Sequence, residues 1–426
     1  MKEIRPLSSL NTTVRIPGSK SITHRAIIAS GLASGESLLQ NFLECEDTLY
    51  TANTLRELGV DISIEGENLK VVGTGGRLNP APIKKELYLG NSGTSFRLLL
   101  SVVALAGGEF LMTGTQRMLE RPIGSLVKAL NRLGVEASCV EQKDCPPVLI
   151  KADGIRGGEV SIPGDQSSQF ISSLLLCGPY AENDIEIRVA GELVSKPYVD
   201  ITIDVMEEFG VRVDREGYNY FRVSSGREYG ARKFTVQGDA SSASYFWAAA
   251  AVTGGAVTTA NIYPFTTRQG DIRFLEILER MGCAVEKKPD RVVVHGGELS
   301  GIEADMSAMP DLVPTLAAVA LFADGKTIIR NVPHLRHKES DRLRAVRLEW
   351  ERLGGRVEEL SDGLIIHGGG RFSGAPVDPH DDHRLAMSLA VVGLKVKGTK
   401  IKDENCVKKS FPQFWELWDR LGALPL

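Results

Sequence analysis

The chain of 426 residues is longer than one hydrophobic core usually organises, so two domains are the expectation. Hydrophobic residues at 42% and charged residues at 24% fit an ordinary globular protein, and no apolar run reaches the ~18 residues of a membrane span. A net charge of −4 gives no general pull toward nucleic acid or an anionic membrane, so anion binding has to come from local groups of cations.

The N-terminal "MKEIRPLSSL" has no apolar core of signal-peptide length. "TVRI" predicts a strand, Pro17 and Gly18 close it, and "SKSITHRAIIASGLA" predicts a helix whose entrance carries Lys20 and Arg25. The same succession of strand, polar loop and apolar helix returns at "LYLGNSGTSFRLLL", "VSIPGDQSSQFISSLLL", "FTVQGDASSASYFWAAAAV", "IEADMSAMPDLVPTLAAVAL" and "PVDPHDDHRLAMSLAVVG". Helices that are apolar all round belong inside a domain. Each is followed by an amphipathic stretch that belongs outside: "TLRELGV", "ALNRLGV", "VMEEFGV", "ILERMGC", "EWERLGG" and "LWDRLGA". Their glycines, Gly59, Gly134, Gly210, Gly282, Gly354 and Gly422, recur every 68–76 residues and suit the left-handed residue that closes a helix. Alternating residues such as "VDISIE" and "VRVDRE" then predict a hairpin. Six α+β units follow, with sheets wrapped around central helices.

Helix entrances carry unpaired N–H groups and a partial positive charge, so they attract anions. Ser, Asp and Asn at such places commonly serve as caps, and for a single loop that reading is sufficient. Cations are another matter, because they oppose the helix dipole. Lys20, Arg25, Arg97 and Arg384 accompany the inner helices, while Arg121, Lys196, Lys338, Arg342 and Lys409 stand at the starts of the second ones. Repeated at buried entrances beside Ser, Gly and Pro, they point to anionic ligands. A nucleotide-hydrolase loop is excluded, since Ser19 and Val14 stand where "GSKS" would need glycines. A dinucleotide fingerprint is excluded too, because "GTGGR" leads into "LNPAPIKKE" and not into a helix. Cys45, Cys139, Cys145, Cys177, Cys283 and Cys406 are scattered without a CxxC pair, which predicts reduced thiols in a cytoplasmic protein and no zinc site.

"PGSKSITHRA", "LGNSGTSFR", "ERPIG", "SSQF", "LVSKPY", "GDASSASYF", "PDL", "RHKESDRL", "DDHRLAM" and "KSFP" follow one another in the order of a known family. From end to end the chain resembles the 5-enolpyruvylshikimate-3-phosphate synthases. The resemblance implies an α/β (α+β) fold of two domains, an inside-out α/β barrel with six βαβαββ-type units, three per domain. It implies a first domain of residues 1–18 plus 237–426 and a second of 19–236, with the active site in the cleft between them. The implied reaction transfers the enolpyruvyl group of phosphoenolpyruvate to the 5-hydroxyl of shikimate-3-phosphate, by addition and elimination through a tetrahedral intermediate. Two phosphates and two carboxylates bring a total charge of about −5 to −6, which accounts for so many cationic entrances.

Carried over position by position, shikimate-3-phosphate is expected against Lys20, Ser21, Arg25, Ser167, Ser168, Gln169, Ser195, Tyr198, Asp311 and Lys338. Phosphoenolpyruvate is expected against Lys20, Gly93, Arg121, Gln169, Arg342, Arg384 and Lys409. Asp311, Glu339 and Lys20 are the candidate proton-transfer groups, with two readings of Glu339 open: acid–base group, or ion-pair partner of Arg342. His383 likewise reads as catalytic or as a structural hydrogen-bonding group. No metal and no organic cofactor is expected, and the partners are the two small-molecule substrates acting on a monomer, with neither nucleic acid nor membrane. Two positions depart from the family pattern: Leu98 replaces a common proline, and His334 stands where an asparagine touching the shikimate phosphate is often found. The related transferases acting on UDP-N-acetylglucosamine typically carry a cysteine in the loop before the "RP" motif, and "TGTQRMLERPIG" has none. A non-catalytic sensor of shikimate-3-phosphate would not require Lys20, Asp311, Glu339 and Lys409 together.

Overall fold

The computed structural model describes residues 1–8, 10–141 and 144–422. Two compact units emerge: unit one comprises Met1–Pro17 and Gln237–Leu426, and unit two comprises Gly18–Val236. Each has its own apolar core. Among the described residues no helix is long and apolar enough to cross a membrane.

Unit two contains the helices α1 (Lys20–Leu32), α2 (Glu46–Glu57), α3 (Gly93–Val103), α4 (Gly124–Arg132), α5 (Ser168–Cys177) and α6 (Lys196–Glu208). Unit one contains α7 (Ala240–Thr253), α8 (Phe274–Met281), α9 (Val313–Ala320), α10 (Arg342–Arg352), α11 (His383–Gly393) and α12 (Phe414–Asp419). The odd-numbered helices are the apolar ones, and they are almost wholly buried. In α1, α3, α5 and α7 a single residue escapes burial, and each time it lies in the first turn: Ser21, Thr94, Gln169 and Ser241. The helix bodies form the core while their entrances stay accessible.

The sheets follow one plan. Gly158–Pro163 runs parallel to Ile185–Ala190, with Val160 opposite Ile187, and α5 makes the crossover that a parallel pair requires. Tyr220–Val223 and Val213–Glu216 then add antiparallel. Among the described residues, unit two holds three such four-stranded sheets and unit one holds two. The last copy in unit one is abbreviated: Pro376–Val377, Lys400–Ile401 and the N-terminal Lys2–Glu3 form a three-stranded sheet, so the chain's start supplies what a hairpin supplies elsewhere. Aromatic packing of Phe246 with Phe411, Phe414 and Trp418 anchors the segment after Lys409 onto α7.

Strands Asn11–Arg15 and Lys233–Thr235 lead into α1 and α7, yet each pairs in the unit its helix does not join. Thr13 lies opposite Thr258 in unit one, and Phe234 lies opposite Leu39 in unit two. Side-chain amides secure both: Asn261 donates to the Ile16 carbonyl at 2.8 Å, and Asn41 donates to the Val236 carbonyl at 2.7 Å. The chain therefore passes between units at Pro17–Gly18 and at Val236–Gln237.

Gly59, Gly134, Gly210, Gly282 and Gly354 all adopt positive φ, from 89° to 115°. At Gly282 a Cβ would in addition overlap the Glu298 carbonyl, whereas at Gly254 (φ 71°) it would meet open space. Gly282→Ala is expected to lower the chemical-denaturation midpoint by the equivalent of more than about 1 kcal/mol, and Gly254→Ala by less. Equal losses would show that the left-handed conformation alone, and not the carbonyl contact, sets the requirement.

Candidate functional site

The helix entrances of unit two gather one set of polar side chains. At the start of α1, Ser19 makes no side-chain cap, so the capping explanation does not hold there. Lys20 is nearly buried and pairs with Asp47 at 2.8 Å, Asp47 lying in the first turn of α2. One turn further on, Arg25 is fully buried. Its Nε donates to Thr202 Oγ1 at 2.6 Å, Nη1 to the Ser21 carbonyl at 2.9 Å, and Nη2 to the Tyr198 carbonyl at 3.1 Å and Ser172 Oγ at 3.3 Å. Burial pulls this guanidinium down to about 10, with Tyr198 opposing, which leaves it cationic at neutral pH. All of these partners are neutral oxygens. They orient the group without cancelling its charge.

Arg121 also meets neutral oxygens. It is buried, and Nη1 donates to the Asn91 carbonyl at 3.1 Å. Gly93 opens α3 directly against it, and a Cβ there would overlap the guanidinium. Gln169, the accessible residue of α5, has its amide locked: Arg97 Nη1 donates to Oε1 at 2.9 Å, and Nε2 donates to Thr94 Oγ1 at 2.9 Å. Ser167 caps α5 by accepting from the Gln169 amide, and Ser168 is buried behind it. Ser195 opens α6 in the left-handed region with φ 55° and makes no side-chain cap. Tyr198 follows in the first turn of α6. Leu98 is fully buried in the core behind Arg97.

Unit one carries a denser cluster, and here the cations are matched by carboxylates. Asp311 Oδ1 accepts from Arg342 Nη1 at 2.8 Å, and Oδ2 accepts from Arg384 Nη2 at 2.6 Å. Lys338 Nζ lies 4.0 Å from Oδ1. Arg342 also pairs with Glu339 at 2.8 Å and with the buried Asp382 at 2.8 Å. Burial works to raise the Asp311 pKa, but Arg384, Lys338 and Arg342 outweigh it and hold the carboxyl well below its usual range. For Arg342, burial works the other way and is outweighed by Asp382, Glu339 and Asp311, so the guanidinium stays charged. Lys409 is buried at the end of the helical turn Asn405–Lys409, which packs on α11.

His383 opens α11, fully buried, with Nδ1 3.9 Å from Asp382. His334 is buried, neither ring nitrogen hydrogen-bonds among the described residues, and burial followed by Lys338 pushes its pKa down to about 3. A neutral imidazole therefore faces the cation cluster. The Glu339–Arg342 ion pair, one of the two sequence readings of Glu339, is present.

Several participants escaped the sequence reading. Asp47 carries no mark beyond an acid in a helix's first turn, an ordinary place for one. Tyr245 is buried on α7 beside Arg384, its phenol pushed up to about 12 by burial with Arg384 opposing. Asp271 bonds to Ser241 Oγ at the entrance of α7 and is raised to about 7 by burial and then by the Asp311 charge, against the pull of Arg384.

With this geometry in place, comparison with known proteins is specific. The model of the EPSP synthase (3-phosphoshikimate 1-carboxyvinyltransferase) family matches residues 4–418. A 3-phosphoshikimate 1-carboxyvinyltransferase of Sulfurovum sp. is 42% identical over 424 residues, covering 99% of both chains. One from Syntrophobacter fumaroxidans is 44% identical, covering 99% of this chain and 100% of the other. The solved EPSP synthase of Acinetobacter baumannii superposes with a TM-score of 0.82 at 31% identity, covering 99% of this chain and 98% of that one.

The raised Asp271 pKa has a definite sign. A carboxyl that holds its proton more tightly folded than unfolded favours folding at low pH, and that contribution is lost as pH climbs from about 4 through about 7. Asp271→Asn is therefore expected to gain thermal stability relative to the parent as pH rises from about 4 through about 7. A melting-temperature difference that stays constant across this range would show that Asp271 does not keep its proton.

Proposed function

The chain belongs to the EPSP synthase (3-phosphoshikimate 1-carboxyvinyltransferase) family, and from that premise we propose how its own residues carry the reaction. It is a transferase of the shikimate pathway that moves the enolpyruvyl group of phosphoenolpyruvate onto shikimate-3-phosphate. The acceptor is its 5-hydroxyl, and phosphate leaves from a tetrahedral intermediate. The observation that supports the residue assignment best is Asp311, a carboxylate held between two buried arginines with a lysine 4.0 Å away.

In this reading shikimate-3-phosphate is held chiefly by hydroxyl, amide and cationic groups at helix entrances. Ser167, Ser168 and Ser195 donate hydroxyls to the phosphate, Gln169 presents its fixed amide, and Tyr198 flanks the ring. Arg25 takes the carboxylate; its hydrogen-bond partners are all neutral oxygens, so its charge is available to that anion. Lys20, Ser21, Asp311 and Lys338 complete the set. Phosphoenolpyruvate meets Lys20, Arg121 and Gln169 beside the space left by Gly93, together with Arg342, Arg384 and Lys409.

Asp311 accepts the hydrogen bond of the attacking hydroxyl. In the free protein it is a weak base, because its cations favour the ionised form. Arrival of a phosphate changes the balance. Arg342 and Arg384 turn part of their charge to the new anion, and Asp311 regains basicity when the hydroxyl is in place. Lys20 and Glu339 exchange the methyl proton of the enolpyruvyl group. The six thiols, none in a disulfide, fit a reducing compartment, and the enzyme works there as a cytoplasmic monomer.

Phosphate release measured with each substrate omitted in turn tests the activity itself: release is expected only with both present. Asp311→Ala is expected to lower kcat by about 10²-fold or more while changing either KM by much less. Binding losses equal to the rate loss would make Asp311 an anchor only. Gly93→Ala is expected to raise KM for phosphoenolpyruvate about tenfold or more, because the added methyl displaces Arg121, with KM for shikimate-3-phosphate nearly unchanged. Equal effects on both constants would contradict the placement of Gly93 and Arg121.

A further inference from the structure

α10 grips the loop before α11 at two points. At its N-terminus Arg342 holds Asp382, with Nε donating to Oδ2 at 2.8 Å and Nη2 to Oδ1 at 3.3 Å. Two helical turns on, on the same face, stands Glu349. Its carboxylate is fully buried, yet both oxygens are used by the loop: Oε2 accepts the Asp378 amide at 2.8 Å, and Oε1 bonds the His380 ring at 2.9 Å. A carboxylate only accepts, so His380 Nε2 is the donor.

The segment so held is strained. His380 and Asp381 have φ of 54° and 55°, two successive non-glycine residues in the left-handed region. His380 also donates its amide to Asp378 Oδ1 at 2.8 Å, and Asp382 donates its amide to the Pro379 carbonyl at 2.9 Å. This reversal sets Asp382 where it receives Arg342, Ser340 and the Arg384 amide. Charged groups facing His380 are Glu349 and Arg352 from α10 and Asp378 from its own loop; Lys402 reaches Asp378 at 3.5 Å. The Glu349 hydrogen bond raises the imidazole pKa, which helps keep Nε2 protonated.

We propose that Glu349 and His380 are positioning residues: they clamp the Pro379–Asp382 reversal in its strained shape, hold Asp382 against Arg342, and so orient Arg342 and Arg384 for phosphoenolpyruvate. This rests on the assignment of those two arginines to that substrate. Nothing about the clamp touches substrate. It acts through Asp382 on the donors that do.

The test uses steady-state kinetics on the full chain, with the partly exposed His380 changed in preference to the buried Glu349. His380→Ala is expected to raise KM for phosphoenolpyruvate about fivefold, the scale of one lost hydrogen bond, with KM for shikimate-3-phosphate and the melting temperature nearly unchanged. His380→Gln places an amide N–H near the position of Nε2 and is expected to restore the constant. An unchanged phosphoenolpyruvate KM in the Ala variant, an equal rise in both constants, or a Gln variant no better than Ala would overturn the proposal. Arg384→Ala separates the two levels. If it raises KM for phosphoenolpyruvate while His380→Ala does not, only the clamp fails; if it leaves that constant unchanged, the substrate assignment fails and the clamp proposal with it.

Discussion

A buried cation must be compensated, and this protein compensates its cations in two ways. In unit one Arg342 and Arg384 close on Asp311, and Arg342 takes Asp382 and Glu339 as well. In unit two Arg25 and Arg121 contact carbonyls and hydroxyls that orient them and leave their charge for another partner. Stripping water from a guanidinium costs several kcal/mol unless an anion or a full set of hydrogen bonds replaces it. Hydrogen bonds alone satisfy the geometry.

The difference has chemical consequences. An anion arriving at Arg25 displaces no carboxylate, so its affinity is not reduced by competition. An anion arriving at Arg342 and Arg384 competes with Asp311, and whatever charge it draws from the arginines returns to Asp311 as basicity. The carboxylate that blocks the cations in the free protein is thus the group whose basicity depends on their occupation. Such coupling is available only where the acid and the bases share a site from which water is largely excluded.

The repeated architecture supplies the entrances. A helix that is apolar all round has to be buried along its length, so only its ends can meet solvent or ligand. Ser21, Thr94, Gln169 and Ser241 occupy that one accessible position in four different copies. The plan tolerates local variation, since the last copy substitutes the N-terminal strand for a hairpin. It also explains why the serines at helix entrances look alike in the chain whether or not they cap. Ser92 and Ser167 cap their helices, whereas Ser19 and Ser195, in equivalent places, do not.

Periodicity was enough to read six units from the sequence, because burial on all sides and amphipathicity leave different residue patterns and because a helix that turns into a strand favours glycine at the turn. Long, ordered motifs such as "LGNSGT" and "RHKESDRL" carried the family. What the residues could not disclose was who answers each charge. Lys20 and Asp47 are 27 positions apart, and Asp311 and Arg384 are 73 apart. Nothing in either local segment marks the pairing; Asp47 reads as an ordinary helix-start acid and Glu349 as an ordinary member of an amphipathic helix. Local patterns determine helices, strands and caps because those depend on neighbours along the chain. The partner of a buried charge, and hence its pKa, its orientation and its readiness for an anion, depends on neighbours across the core, and only packing decides them.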